Sequence, residues 1–496
     1  MRCCIRWQSR LARIDPISSS HRLSSLILAV KLHVNVSERR LCHSTHSTHT
    51  SRSGSASHIS LRFGRHKYEK FSHHRYNTQR RYKGSKAVVV DGKESGAREL
   101  AESAKRGEYL GEPQDVKDEW IVCDIKQEAL TRPWLRYMAN EAVESPTKRL
   151  SREISAFEAY IRPNRREAIS VDKIVKALRG VVGPKKVVTL IGSRRRGLAT
   201  SLSDIDVRVS DSMKTQTAAI SDSSRKDSNI ILLRRLLGPL ERSQHFECVE
   251  IVFSALPIIR ALQPDTGLRV QLQGSSDKST QDSLIATYLT AYPHLRSVYL
   301  VLRHVLEIRK LNIVFEGGVG SYSLLVMIIT AFNHADPDQL KTSGDCLLHV
   351  LRFWAEADCY NNGYVCSPAM TFDKKAPDPT AEITMLSKTQ KVCLKSVKRY
   401  DEKQPFRLFL QDPADYTNDL GRKAGKIKHV QKTFESLSHR LRESLNREAV
   451  SNPQTEKGSA LLAPLVEANY TGFEQLRKRL HDSATAQLGS RKGIFK

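Results

Sequence analysis

The stretch from Lys186 to Val209 constrains this chain more than any other. A β-rich run, Lys186-Val187-Val188-Thr189-Leu190-Ile191, ends in Gly192-Ser193; after a loop rich in Arg and Ser comes Asp204-Ile205-Asp206-Val207-Arg208-Val209. The second run alternates strictly, so as a strand it carries Asp204 and Asp206 on one face and its apolar residues on the other. Carboxylates at i and i+2 of a strand stand about 7 Å apart, near enough to share divalent cations. Mg²⁺ held by one or two carboxylates together with substrate phosphates is the usual arrangement for phosphoryl or nucleotidyl transfer. The Gly-Ser turn lets backbone N–H groups and a hydroxyl approach a triphosphate, because glycine puts no side chain in the way. An Asp pair alone also arises as a solvated strand face or a turn cap; the Gly-Ser turn a dozen residues upstream favours the phosphate site.

The surroundings are those of a mixed α and β domain. Leu150, Ile154, Phe157 and Ile161 recur at a helical period, Pro163 breaks that helix, and Val171 to Leu178 repeats the pattern until Gly180 and Gly183 stop it. The local order is therefore helix, turn, strand, Gly-Ser. With 496 residues there is room for about two to four domains. The nine Cys contain no CxxC pair and no regular spacing, which argues against a disulfide framework or structural zinc, and we read them as reduced thiols.

Charge points to the partner. Lys+Arg total 80 against 53 Asp+Glu, a net charge of +27, and such an excess favours a polyanion such as nucleic acid or an anionic membrane face. Residues 1–80 hold fifteen Lys/Arg and nine of the seventeen His, against only Asp15, Glu38 and Glu69. That Arg- and Ser-rich, acid-poor composition predicts a mitochondrial transit peptide, with a disordered basic tail as the alternative. The apolar run Leu26 to Val30 stops at Lys31, far short of the roughly 20 residues a bilayer needs, so no membrane span is expected. The stretch Arg62 to Tyr82 is a candidate RNA contact or a mere linker. Globular composition begins near Asp118.

Several motifs, in order, resemble one family. Ile191-Gly192-Ser193-Arg194-Arg195-Arg196-Gly197-Leu198 with Ser203-Asp204-Ile205-Asp206 is similar to the signature of the non-canonical poly(A) polymerases and terminal uridylyltransferases, within the DNA-polymerase-β-like nucleotidyltransferase superfamily. Glu153 to Phe157 and Ile161-Arg162-Pro163 resemble its leading helix, and Ala255-Leu256-Pro257-Ile258-Ile259 its middle strand. Leu302 to Leu306, Arg309 to Asn312 and Gly317 to Leu324 resemble its helical PAP-associated central domain, and Gln411-Asp412-Pro413 with Asn418 to Arg422 its nucleotide-recognition loop.

The resemblance implies an α+β chain: a small mixed-sheet, palm-like nucleotidyltransferase domain over 119–275 and a helical domain over 276–445. Before them would stand the transit peptide (1–80) and a basic disordered linker (81–118); after them, a helical extension or tail (446–496). It implies Asp204 and Asp206 as ligands of Mg²⁺ or Mn²⁺, with Gly192, Ser193, Arg303 and Ser321 at the phosphates. Tyr322 would stack on the base and Asn418 would face its edge. The family's third carboxylate is expected after Gly267-Leu268-Arg269-Val270, where Gln271 stands instead, and Gln is a feeble Mg²⁺ ligand and no base. Asp265 and Glu250 are poor substitutes, Asp265 belonging to a turn. Glu307, one helical turn after Arg303, would repel a triphosphate, and Asp419 stands where relatives usually have a second Asn. The function implied is template-independent addition of nucleotides, adenylates from ATP, to the 3′ end of mitochondrial RNA, with a protein partner possible for RNA selection. The alternatives are a weak or inactive paralogue that binds RNA and nucleotide, and a nuclear RNA-surveillance polymerase.

Overall fold

The computed structural model describes residues 109–117, 131–138, 145–211, 222–253, 256–274, 279–380, 384–450 and 460–492. The transit-peptide segment, the Arg62 to Tyr82 stretch and the 81–118 linker apart from 109–117 lie outside the described residues. Residues 109–117 run without helix or strand along the helical part of the molecule: Lys117 N donates to Ile308 O at 2.9 Å, and the Tyr109 ring meets Phe406 at 4.8 Å between centroids.

Helix α1 (Pro146–Ile161) is the predicted 150–161 helix plus one more turn, and it ends where Pro163 follows. Helix α2 (Arg165–Val182) begins sooner than the apolar period indicates, because Asn164 and Glu167 form a reciprocal capping box. Gly180 lies inside α2 and does not stop it; only Gly183, at φ 86°, ends the helix. Strand β1 (Lys186–Leu190) follows, then the short helix α3 (Gly192–Arg196) where a loop was expected, then β2 (Ile205–Asp211).

Four more elements complete the palm: α4 (Asp222–Glu241), β3 (Glu247–Val252), β4 (Ile258–Leu262) and β5 (Arg269–Gln273). The five strands stand in the order β1-β2-β5-β4-β3, antiparallel throughout except for the parallel pair β2/β5. On one face, Ile205, Val207, Val209, Val270 and Leu272 are buried against Val171, Ile174 and Leu178 of α2 and Leu233, Leu236 and Leu240 of α4. Strand alternation then forces Asp206 and Arg208 onto the other face.

The helical body consists of α5 (Ser279–Ala291), α6 (Leu295–Ile308), α7 (Ser321–Asn333), α8 (Ser343–Glu356), α9 (Lys388–Ser396) and α10 (Ile427–Val450). Beside them a small sheet joins β6 (Asn362–Val365), β7 (Met370–Asp373) and β8 (Leu410–Gln411) in the order β7-β6-β8. Short α11 (Ala463–Val466) and long α12 (Thr471–Lys492) finish the chain's described part. Two packings cut across the sequence order. Helix α1, ahead of the palm, packs on α6 and α8 of the helical body, whereas α12, after that body, packs on α2 of the palm. Leu480 of α12 is part of the palm's hydrophobic core. Among the described residues no helix is long and apolar enough to cross a membrane.

Candidate active site

The polar face of the palm sheet lines a pocket of about 260 Å³ that includes Gly192, Asp206, Arg208, Gln271 and, from the helical body, Asp282 and Tyr322. Its floor is fixed by register. Asp206 pairs with Gln271 across β2/β5, Gln271 with Arg260 across β5/β4, and Arg260 with Glu250 across β4/β3. On the β5 side the position opposite Asp206 is 271, and an amide occupies it.

The turn behind β1 is built around Asp206. Ile191 N donates to Asp206 O at 2.9 Å, and Gly192 has φ +71°; a Cβ on Gly192 would lie 2.2 Å from Asp206 Oδ2. Glycine is thus required for the backbone to approach this carboxylate. Ser193 follows, half-buried, its carbonyl accepting from Leu198 N at 2.9 Å. Arg194 donates from Nε to Ser203 O at 3.1 Å and holds the loop that delivers Asp204.

Asp204 is engaged by neighbours on β5. Its Oδ1 accepts from Arg269 Nε at 2.9 Å and its Oδ2 from Gln271 Nε2 at 2.5 Å. The two carboxylates set aside as poor substitutes for the third are committed elsewhere: Glu250 accepts from Arg260 Nε at 2.8 Å, and Asp265 from Gln263 Nε2 at 3.0 Å within its turn.

The helical wall brings together Arg303, Ser321 and Tyr322. Arg303 donates to Ser321 Oγ, so Ser321 acts as that acceptor and not as the helix cap, which is Gly320. Burial alone would lower the Arg303 pKa, but Tyr299, Glu307 and Asp204 together hold it above its ordinary value. Glu307 therefore acts on Arg303 as a counter-charge. Tyr322 donates its hydroxyl to Asp412 Oδ1 at 2.7 Å, and Asn418 donates from Nδ2 to Asp412 Oδ2 at 3.0 Å. Burial raises the Asp412 carboxyl. Asp419 does not face the base: its Oδ1 accepts from Leu410 N at 3.1 Å and Gly421 N at 2.8 Å, and it shapes the recognition loop.

Residues 150–290 match the family model described as poly(A) RNA polymerase, mitochondrial-like, central palm domain. The polymerase core of TRAMP, an RNA surveillance complex, superimposes with a TM-score of 0.54 at 21% identity, covering 68% of this chain and 99% of that one. The fold is a nucleotidyltransferase palm with a helical central domain. At the sequence level the chain is 25% identical over 326 residues to poly(A) RNA polymerase CID14 of Cryptococcus neoformans, covering 62% of this chain and 39% of the relative. It is 24% identical over 322 residues to poly(A) RNA polymerase protein 2 of Saccharomyces cerevisiae, covering 61% and 49%. The chain thus spans less than half the length of each of these relatives.

Three participants escaped the sequence reading: Arg208, two residues past Asp206 on the same face; Arg269, two before Gln271; and Asp282 of α5, which takes Arg196 Nε at 2.8 Å. Alternation carried the signal for the two strand arginines. A metal's fit follows from the donors. No group of three or more His, Cys, Asp or Glu side chains is placed to hold a metal ion among the described residues. Asp206, cradled by the Gly192 turn, fits a divalent cation shared with substrate phosphates, whereas each oxygen of Asp204 accepts from a β5 donor, Arg269 or Gln271, with which a second cation would have to compete.

Proposed function

We infer that this chain is a template-independent RNA 3′-end nucleotidyltransferase that uses ATP and works in mitochondria. The observation that carries the nucleotidyltransferase reading is the meeting of Asp206 and its glycine turn with Tyr322 in one pocket; the mitochondrial location is supported by the composition of residues 1–80. The relatives named poly(A) RNA polymerase support it.

A divalent cation at Asp206 would offset phosphate charge and stabilise the oxygens of the displacement. The chain's own groups do the rest. The Gly192-Ser193 backbone cradles the triphosphate, and Arg303, oriented by Ser321, meets its charge. The Tyr322 ring takes the base, with its hydroxyl anchored on Asp412. The RNA 3′-oxygen attacks the α-phosphorus in line and pyrophosphate leaves. Gln271 has no basic site, so the general base implied at that position is missing and the hydroxyl proton passes to solvent water.

Adenine preference is supported by Asn418. One Nδ2 hydrogen goes to Asp412, and Oδ1 can accept from a base amino group; adenine carries one and uracil does not. A protein partner for RNA selection is supported by the structural neighbour's being the core of a complex. Gln271 and the Arg269 pairing favour one second reading, a weak or inactive module that binds RNA and nucleotide.

Extension of a labelled RNA primer with each NTP separates these. The expected result is a ladder with ATP, lost in Asp206→Asn; no ladder with any NTP, but retained ATP binding, establishes the binding module. Residues 1–80 fused to a reporter are expected in mitochondria, and a nuclear signal would move the reading to nuclear RNA surveillance.

A further inference from the structure

We propose that Arg269 takes the place of a second divalent cation in this site, so that the chain binds nucleotide with one cation where sites of this chemistry hold two. This rests on the nucleotide-site reading above and deepens it. The guanidinium donates Nε to Asp204 Oδ1 at 2.9 Å, and the Gln271 amide donates to Asp204 Oδ2 at 2.5 Å. Both are donors: each takes a lone pair of Asp204, and the guanidinium supplies beside it the positive charge that a second cation would otherwise bring.

Register makes the substitution a matched pair. Position 271 faces Asp206, and 269 lies two residues back on the same strand face, beside Asp204. Exchanging a carboxylate for an amide removes one negative charge. Exchanging a dication for a guanidinium removes one positive charge, so the two exchanges cancel and the site's electrostatic balance is kept. Neither works alone: Asp at 271 beside Arg269 would trap the guanidinium between carboxylates, and Gln271 without Arg269 would leave Asp204 without its cation. Arg269 is 48% exposed and Asp204 21%, so the pair belongs to the cleft and not to the core.

Mn²⁺ bound per chain is counted by electron paramagnetic resonance, with the non-hydrolysable α,β-methylene analogue of ATP present. The wild type is expected to hold one Mn²⁺ with an uncoupled spectrum, and Asp206→Asn to lose it. Arg269→Ala/Gln271→Asp is expected to hold two, with the exchange coupling of ions roughly 4 Å apart; Gln271→Asp alone stays at one. Two coupled Mn²⁺ in the wild type overturn the proposal while leaving the nucleotide site standing, and this arm needs no variant. A folded double variant that stays at one also overturns it. Failure of the wild type to retain the analogue at any Mn²⁺ concentration sinks the nucleotide site itself, and the proposal with it.

Discussion

Asp419 lies under the recognition loop with its carboxyl pushed up to about 6, chiefly by burial, while Arg407 and Lys374 pull it the other way. A raised acid holds its proton more tightly in the folded chain, so its contribution is complete below the unfolded value near 3.8 and is lost as pH rises through 6. Asp419→Asn keeps an Oδ1 acceptor for Leu410 N and Gly421 N and removes the buried charge. The variant should match wild type at pH 4 and exceed it at pH 7 by about 3 kcal/mol, read from denaturant melts at both pH values. At the base, Tyr322→Phe keeps the ring and Tyr322→Ala removes it. The Ala change should weaken ATP binding roughly 5- to 150-fold, equivalent to about 1 to 3 kcal/mol, with the Phe change well short of that by calorimetry. Asn418→His should narrow the gap between ATP and UTP affinities; equal affinities in the wild type would remove the adenine assignment.

Helix α2 shows what an element needs beyond its own pattern. Its capping-box residue Glu167 is fully buried and accepts from Arg477 Nε of α12 at 2.7 Å, from Ser201 Oγ at 2.8 Å and from Asn164 N at 2.9 Å. Arg477→Ala strips the buried carboxylate of its main cation and should cost about 3 to 5 kcal/mol in urea melts, whereas replacement of an exposed partner such as Lys478 should be near neutral. Strands β1 and β2 were legible because period-2 alternation is written in consecutive residues. Helix α3 was not, since five residues, three of them Arg, make a single turn with no apolar face. The acceptors of Arg269 and Gln271 were invisible because the parallel β2/β5 register joins residues over 60 positions apart, and nothing local encodes that pairing. Position 271 could be marked as odd in the sequence; only the register shows that its neighbour two residues back completes the change.

Across the whole molecule, the +27 charge makes RNA affinity a salt-dependent quantity. Log K for generic single-stranded RNA should fall nearly linearly with log salt, at about −0.7 per phosphate contacted, and deleting Arg62 to Tyr82 should flatten the line if those residues touch RNA. An unchanged slope assigns them to linker duty. The crossing of α1 and α12 between the two bodies bears on how the molecule is made. A ribosome delivers the palm strands long before Leu480 and Arg477, yet Leu480 fills the palm core and Arg477 neutralises Glu167, a contact spanning 310 positions. The first body to emerge is therefore the last to be finished, and during synthesis at roughly 5 to 20 residues per second its apolar face waits tens of seconds for a helix not yet translated. A nascent chain arrested before α12 should accordingly be cut within the palm by a protease that spares the palm of the released chain.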